Sequence, residues 1–236
     1  MTRSFLFFFF FFGLGLLLMV TFQLSGIDEW LATKLYIYTD NWQSKNNWWL
    51  DAVAHKGGRY LVIIVMLSLL SLTIVSYWRA LWQPWQRKVG AYVCVATLSA
   101  IGIVSFLKGF TTLPCPWDIQ GFGGDRPPVY LYDIFASNLV TGHCFPAGHA
   151  SGGYAFFSLY FAAKVWRCKS PQSSSYNLWF LPGAFLGAIF GVDQQLRGAH
   201  FLSHDIASAL ICWGVCALLY WGYFTRGEPA QIDINH

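Results

Sequence analysis

Charged residues are scarce in this sequence of 236 amino acids: Asp, Glu, Lys and Arg make up 11% of the chain, against about 25% in a typical soluble domain. A water-soluble fold of this length could not cover its surface with so few charges. No basic run is longer than Arg87–Lys88, which argues against a nucleic-acid-binding surface. The content of 56% hydrophobic residues also excludes a disordered chain and an ordinary cytosolic enzyme. The composition indicates an integral membrane protein, whose surroundings are the lipid bilayer.

Apolar stretches long enough to cross a bilayer, about 20 residues each, define the predicted fold. The candidate spans are 5–24, 60–78, 89–107, 150–166, 178–193 and 206–224. The fourth and fifth are shorter or richer in glycine. The sequence therefore predicts an all-α bundle of six transmembrane helices. The first span is rich in Phe and resembles a signal sequence, but its apolar core is longer than that of a signal peptide and no Ala-x-Ala site follows, so we expect a retained span.

Basic residues in the short segments between spans predict the orientation. With Met1 in the cytoplasm, the inner segments carry eight of the 15 Lys and Arg residues against two carboxylates. This excess places both termini in the cytoplasm. The long polar segments 25–59, 108–149 and 194–205 then face the periplasm of a bacterial inner membrane. Segment 25–59 contains four Trp residues, which favour the membrane surface, and His55 within it is interpreted as a surface or interface residue.

Three polar clusters lie in these outer segments. Lys108 ends the third span, Pro-Ala-Gly-His at 146–149 opens the fourth, and 194–205 joins the fifth to the sixth. Spanning helices bring such loops together at one end of a bundle. The sequence therefore predicts one active site at the periplasmic end.

The residue types in these clusters suit phosphoryl transfer. The Lys108 ammonium can bind phosphate, and Gly148, at the start of a helix, offers free backbone N–H groups to an anion. His149 can give or take a proton near neutral pH. His200, followed by Asp205, has the parts of a histidine nucleophile oriented by a carboxylate. Anion-binding groups, a nucleophile and a general acid together describe phosphoryl transfer without a metal or cofactor.

The three clusters resemble the signature of the type-2 phosphatidic acid phosphatase superfamily, membrane phosphatases related in fold to vanadium haloperoxidases. That signature reads Lys, six residues, Arg-Pro; then Pro-Ser-Gly-His; then Ser-Arg, five residues, His, three residues, Asp. The resemblance covers about 60–224 of a single membrane domain, 1–236. An N-terminal span with its interfacial loop, 1–59, and a short cytoplasmic tail, 225–236, lie outside it.

The resemblance implies a metal-independent lipid phosphatase that hydrolyses a phosphomonoester or diphosphate through a phosphohistidine. The substrates it implies are undecaprenyl diphosphate, phosphatidylglycerol phosphate, phosphatidic acid and the lipid A phosphates. Lys108 matches the first-motif lysine, while Ala147, Gly148 and His149 match the second motif, with Ala147 replacing serine. These residues would bind phosphate, with His149 as the general acid. His200 best matches the nucleophile.

Both motif arginines are missing. Cys115 stands at the first arginine position and Gln194 at the second. The same loops contain Arg126 and Arg197, and a guanidinium is long enough to reach one site from a shifted backbone position. We therefore expect Arg126 and Arg197 to supply the missing phosphate-binding charges.

The third motif offers two histidines. His204 occupies the family's aspartate position, and Asp205 is one step beyond. Neighbouring side chains on a helix point about 100° apart, so His204 pairs poorly with Asp205. His200 is the better partner for Asp205 if the helix begins between them. Cys115 and Cys144 share the outer segment 108–149, where a disulfide between them is also predicted.

Three alternatives use the same residues. His200, His204 and Asp205 could bind a metal, although anion-binding groups surround that position. A lipid phosphotransferase would pass the phosphoryl group to another lipid instead of water. A catalytically degenerate member of the family would bind anionic lipids, an interpretation motivated by Cys115 and Gln194.

Overall fold

The computed structural model describes residues 3–134, 142–170 and 176–224, and the predicted tail 225–236 lies outside them. The structure is 79% helical, which confirms the all-α class. Its α-helices are α1 (Arg3–Leu24), α2 (Ile27–Tyr38), α3 (Gly58–Arg79), α4 (Pro84–Lys108), α5 (Gly148–Tyr154), α6 (Ser158–Lys169), α7 (Leu181–Leu196) and α8 (Leu202–Phe224). A π-helix, Trp49–Gly57, runs into α3, and 3-10 turns include Gln43–Asn46, Pro116–Asp118, Leu131–Asp133, Ala155–Phe157 and Tyr176–Phe180.

Helices occupy all six segments predicted to span the membrane. By length and apolar composition, three helices could cross a bilayer: Trp49–Arg79, Pro84–Lys108 and Leu202–Phe224. The pair Phe8–Leu24 and Ile27–Tyr38, bent by 67°, would make a fourth. The other two segments are shorter, because a 3-10 turn interrupts α5 and α6 and because α7 has 16 residues. The count of six spans stays a prediction.

Large apolar side chains cover the outer face of α3. Leu61, Ile64 and Leu67 are 51%, 62% and 57% exposed. A water-soluble monomer rarely exposes such a continuous apolar surface. These apolar helices therefore suit a membrane protein.

Helices α4, α5, α6 and α8 pack around the main core. Tyr92 is fully buried and its hydroxyl donates a hydrogen bond of 2.9 Å to the Cys216 carbonyl. The Thr97 and Ser158 hydroxyls are hydrogen-bonded to each other at 2.9 Å. The core is otherwise apolar, and its buried members include Val93, Ala96, Ala100, Val104, Phe157, Phe161, Cys212, Trp213 and Ala217. Polar groups inside this core are thus held by specific partners.

Helix α7 approaches its neighbours closely through glycine. Gly153 of α5 meets the α7 backbone at Gly187, in direct contact. A Cβ on Gly191 would lie 2.6 Å from a carboxylate oxygen of Asp205. Small residues let helix backbones come this close. As a result, the end of α7 lies directly against the start of α8.

The N-terminal helices reach the same end of the bundle. Phe8 of α1 packs edge-on against Trp221 of α8, with 5.2 Å between ring centroids. Gln23 Nε2 donates a hydrogen bond of 2.8 Å to Ser203 Oγ. Asp28 Oδ1 accepts the Ser203 backbone N–H at 3.1 Å. A carboxylate here satisfies one of the free N–H groups at a helix start. The contacts of Gln23 and Asp28 with Ser203 anchor α1 and α2 to the start of α8, and the contact of Phe8 with Trp221 holds α1 against the other end of that helix.

Candidate active site

The loop after α4 runs alongside the loop before α5. The Thr111 carbonyl accepts the His143 N–H at 3.3 Å, and the Leu113 carbonyl accepts the Cys144 N–H at 3.2 Å. Cys115 and Cys144 form a disulfide, with 5.2 Å between their Cα atoms. These bonds tie the segment that follows the first motif to the segment that precedes the second.

The third motif is joined to both of these loops. The Gly198 carbonyl accepts the Trp117 N–H at 3.0 Å. The His204 carbonyl accepts the Ala147 N–H at 3.2 Å, and the Ser208 hydroxyl donates to the Ala147 carbonyl at 2.9 Å. The three sequence clusters therefore meet at one end of the bundle.

Lys108, His149 and His200 form the centre of this end. A Cβ on Gly148 would lie 3.6 Å from Lys108 Nζ, so the ammonium lies beside the Gly148 backbone. His200 is 5% exposed, and burial together with the nearby Lys108 charge holds its pKa well below the usual range. Burial, assisted by neighbouring His55, lowers the pKa of His149 to about 4. Both imidazoles are therefore neutral at pH 7.

Each of these two imidazoles keeps one nitrogen unpaired. His149 Nε2 and His200 Nδ1 are buried and have no hydrogen-bond partner within residues 3–134, 142–170 and 176–224. Buried polar atoms are normally satisfied. Unpaired nitrogens at the meeting point of three motifs are the arrangement expected of atoms that bind a ligand or move a proton.

Arg197 lies buried at the end of α7, only 7% exposed. Its Nη2 donates a hydrogen bond of 3.0 Å to Asp51 Oδ1. Its Nε and Nη1 are buried without a partner in the described part of the chain. Unpaired donors of a buried guanidinium can donate charge-assisted hydrogen bonds to the oxygens of an anion. The geometry of Arg197 thus fits an anion-binding role.

Asp205 has a different partner from the one expected. Helix α8 begins at Leu202, between His200 and Asp205. The sequence predicts that these two residues pair if the helix begins there. Asp205 Oδ2 nevertheless accepts its hydrogen bond from Gln195 Nε2 at 2.5 Å. Asp205 Oδ1, like His200 Nδ1, is buried and finds no partner among the described residues. Asp205 is thus hydrogen-bonded to α7 through Gln195, and the structure does not contain the pairing with His200 that the sequence predicted.

His204 and Gln194 are packed into the protein. His204 is 1% exposed, and its ring lies 5.2 Å from that of Phe145 and 5.8 Å from that of His200. Gln194 Nε2 donates to Asp193 Oδ2 at 2.6 Å. In the described part of the chain, no group of three His, Cys, Asp or Glu side chains has an arrangement that could hold a metal ion.

Arg126 lies in the loop after the disulfide. Its backbone N–H donates to the Asp118 carbonyl at 2.8 Å, and its carbonyl accepts the Gln120 N–H at 2.8 Å. The hydrogen bond between Trp117 and Gly198 ties this loop to the third motif. The phosphate-binding role of Arg126 stays a prediction.

The N-terminal region supplies neighbours that the motifs did not reveal. The His55 ring packs edge-on against that of His149, with centroids 4.6 Å apart. Asp51, one turn earlier, holds Arg197. Trp42 packs on Gly198, where a Cβ would come within 3 Å of the indole ring. The sequence signal for these residues was weak, because Asp51 and His55 lie in a Trp-rich segment that matches no motif.

The fold and the site define a class: an apolar helical protein with buried and partly buried lysine, arginine and histidine side chains at one end of its bundle. Residues 89–228 match the sequence model of the PAP2 superfamily. The match covers more than half of the chain, which belongs to this superfamily of phosphatases. No curated protein and no solved structure gives a significant match. The matched region contains all three motifs, whereas Trp42, Asp51 and His55 precede it.

Proposed function

We propose that the protein is an integral membrane phosphatase that hydrolyses a phosphomonoester or diphosphate of a lipid through a phosphohistidine. One observation carries this proposal: the buried Arg197 guanidinium presents two unpaired donors at the end of the bundle where His149 and His200 meet. A tetrahedral oxyanion satisfies such donors. Membership of a phosphatase superfamily supports the same chemistry.

His200 is the proposed nucleophile. A neutral imidazole is needed for attack, and the lowered pKa of His200 supports this state at pH 7. A bond forms between the His200 imidazole and phosphorus while the bond from phosphorus to the leaving oxygen breaks. Lys108 and Arg197, with the backbone N–H at Gly148, hold the phosphoryl oxygens and stabilise their charge. Ala147, which the family motif also suggested for this role, already donates its N–H to the His204 carbonyl. Arg126 is the further cation proposed for this role.

His149 is the proposed general acid. Burial lowers the pKa of His149 to about 4. A phosphate dianion bound beside the ring raises that pKa, because a nearby negative charge favours the imidazolium. The protonated ring then donates to the leaving oxygen. In the second step His149 takes a proton from water as the water attacks the phosphohistidine and releases phosphate. Asp205 is proposed to orient His200 once substrate is bound.

The substrate class follows from the surroundings of the site. A phosphate-binding site at the end of an apolar helical bundle can receive a headgroup while the acyl or prenyl chains stay in the bilayer. The charge distribution of the sequence supports a site on the periplasmic face of a bacterial inner membrane, with both termini in the cytoplasm. The four lipid phosphates implied by the family resemblance are the proposed candidates.

The test is phosphate release from these lipids by the purified protein in EDTA. Wild type is expected to release phosphate, whereas His200→Ala and His149→Ala lose at least about 10³-fold in kcat/KM. His143→Ala, an exposed histidine of the same loops, is the matched control and is expected to retain activity. Rapid quenching with a ³²P-labelled substrate should trap an acid-labile phosphoenzyme that is absent from His200→Ala.

Three outcomes would redirect the proposal. A phosphoenzyme that persists in His200→Ala and disappears in His204→Ala would move the nucleophile to His204. Release abolished by EDTA would restore the metal site. Label recovered on a second lipid instead of in free phosphate would identify a phosphotransferase.

A further inference from the structure

The helix Trp49–Gly57 lies before the region that matches the family, yet it contacts two residues of the site. Asp51 Oδ1 lies 3.0 Å from Arg197 Nη2. One turn along, the His55 ring is 4.6 Å from the His149 ring. Asp51 and His55 also approach each other, with 4.0 Å between Oδ1 and Nδ1. One helix therefore touches both a phosphate-binding candidate and the general-acid candidate.

The contact of Asp51 with Arg197 determines which donors of the guanidinium stay free. Arg197 is a planar fork of five donors, and Asp51 takes one of them at Nη2. Nε and Nη1 have no partner in the described residues. A guanidinium donates charge-assisted hydrogen bonds to phosphate oxygens. By holding Nη2, Asp51 fixes the rotation of the guanidinium and leaves these other donors for an anion.

The contact of His55 with His149 restricts the orientation of the His149 ring. His149 lies between two rings, with Phe190 at 4.5 Å and His55 at 4.6 Å between centroids. The His55 ring meets that of His149 at 79°, an edge-to-face arrangement that limits ring rotation. A general acid must keep its proton aimed at the leaving oxygen. Packing from His55 adds to the constraint that Phe190 places on this ring.

We propose that the Trp49–Gly57 helix is a working part of the phosphatase site, in which Asp51 positions Arg197 for the phosphate and His55 positions His149. Neither residue touches substrate; both are positioning residues. The inference rests on the proposed function, because it assigns phosphate binding to Arg197 and proton donation to His149.

Substitutions at Asp51 and His55 are expected to change different kinetic constants. Asp51→Ala frees the Arg197 side chain, so KM should rise at least about tenfold while kcat changes less. His55→Ala removes the ring beside His149, so kcat should fall at least about tenfold with KM nearly constant. Asp51→Asn keeps an acceptor oxygen, and His55→Phe keeps a ring; both should recover most of the lost activity.

Lys56→Met is the matched control. Its ammonium binds the same carboxylate, at 2.6 Å from Asp51 Oδ2, but its side chain is 62% exposed. The variant should stay within about twofold of wild type in both constants. An Asp51→Ala variant that binds substrate as well as or better than wild type would overturn the role of Asp51. Equal losses in His55→Phe and His55→Ala would overturn that of His55.

Sulfate binding, measured by calorimetry, separates this inference from the proposed function. It needs no turnover, and Asp51→Ala should weaken sulfate binding at least about tenfold. Wild-type protein that binds sulfate with an affinity that depends on Asp51, but releases no phosphate, would refute the proposed function alone. Active wild type with unchanged sulfate binding in Asp51→Ala would refute the inference alone. If Asp51→Ala does not fold, sulfate binding by Asp51→Asn is compared with that of wild type instead. This comparison requires that Asp51→Asn has a normal melting temperature, and the expected loss of affinity is smaller.

Discussion

Buried polar groups are treated differently in the two halves of the bundle. Far from the site, the Tyr92 hydroxyl bonds to the Cys216 carbonyl and Ser76 bonds to the Thr73 carbonyl, at 2.9 and 2.6 Å. At the site, the atoms without a partner in the described residues include His149 Nε2, His200 Nδ1, Arg197 Nε and Nη1, and Asp205 Oδ1. The indole nitrogen of Trp213 is an exception in the core.

The comparison shows which half is built for a ligand. Leaving a buried donor unsatisfied costs about 1–3 kcal/mol, and more when it is charged. Evolution tolerates such a cost where a ligand will supply the missing partner. Changes at the site should therefore alter binding and turnover, whereas changes in the paired core should alter stability.

Apart from the two histidine substitutions, the largest expected effect comes from Arg197→Met. Loss of a preorganised charged donor typically costs about 10²–10³ in rate, and we expect a fall of this size in kcat/KM for phosphate release. Lys164→Met, at the opposite end of the bundle, where Lys164 lies 5.7 Å from the Tyr220 ring, should stay within about twofold. Unchanged activity in Arg197→Met would remove Arg197 from the site. Arg126→Met tests the second expected cation in the same assay.

A smaller effect is expected from pH on anion binding. Burial, with the nearby His55, Arg197 and Arg59, lowers the pKa of His149 to about 4. A bound dianion raises this pKa, so binding takes up a proton. Affinity should then rise as the pH falls from 7 toward 4, by at most about tenfold per unit. Sulfate is the probe because its own charge is constant in this range.

His149→Gln provides the control for this titration and should flatten the dependence, leaving the contributions of the other titratable groups of the site. The effect on stability has the opposite sign without sulfate. Because the folded pKa is depressed, the stability contributed by neutral His149 is complete above about pH 6.5 and is lost as the pH falls through about 4. Thermal unfolding with and without sulfate would detect both slopes. A pH-independent sulfate affinity in wild type would contradict the role of His149.

Gly198→Ala should have an intermediate effect, on both folding and activity. Gly198 has φ of +73° and contacts the Trp42 ring. An alanine in this left-handed conformation costs about 1–2 kcal/mol, and its methyl group must also displace Trp42. Because Gly198 lies between Arg197 and His200, we expect a lower melting temperature and about a tenfold loss of activity.

Gly102→Ala is the matched control for Gly198→Ala. Gly102 lies within α4, and no atom lies within 4 Å of a Cβ placed there. Alanine favours helix over glycine by about 1 kcal/mol, so this variant should match wild type or exceed it in stability. A Gly198→Ala variant as stable and active as Gly102→Ala would show that the strained turn is not needed.

The helices and the meeting of the motifs could be predicted from sequence for a simple physical reason. Apolar runs near 20 residues have few alternatives to a helix, and helices that cross the bundle must bring alternate loops to one end. Lys108, His149 and His200 therefore meet although 92 residues separate the first from the last. The alternation of spans carries this information without any knowledge of side-chain packing.

Side-chain partners could not be predicted in the same way. The pairing of Asp205 with Gln195 depends on the close contact between α7 and α8 at Gly191. This contact brings Gln195 to Asp205 in place of His200, the partner that the sequence predicted. The contact of Asp51 with Arg197 joins residues 146 positions apart. No period or spacing encodes such a pair. An acidic residue and a histidine four apart in the Trp-rich segment were the available signal, and they resembled an exposed helix face.

The smallest expected effect is that of Tyr92→Phe in the paired half of the bundle. This change removes the hydroxyl that donates to the Cys216 carbonyl but keeps the buried ring. A hydrogen bond of this kind contributes about 1 kcal/mol, and the carbonyl also accepts within its own helix, so the variant should unfold at a slightly lower temperature or denaturant concentration. Phosphate release measured below that temperature should equal that of wild type, because Tyr92 lies 16 residues before Lys108 on the same helix, or about 24 Å at 1.5 Å per residue. A large loss of activity without a loss of stability would mean that the two halves of the bundle are coupled, and that unpaired buried atoms alone do not mark the extent of the site.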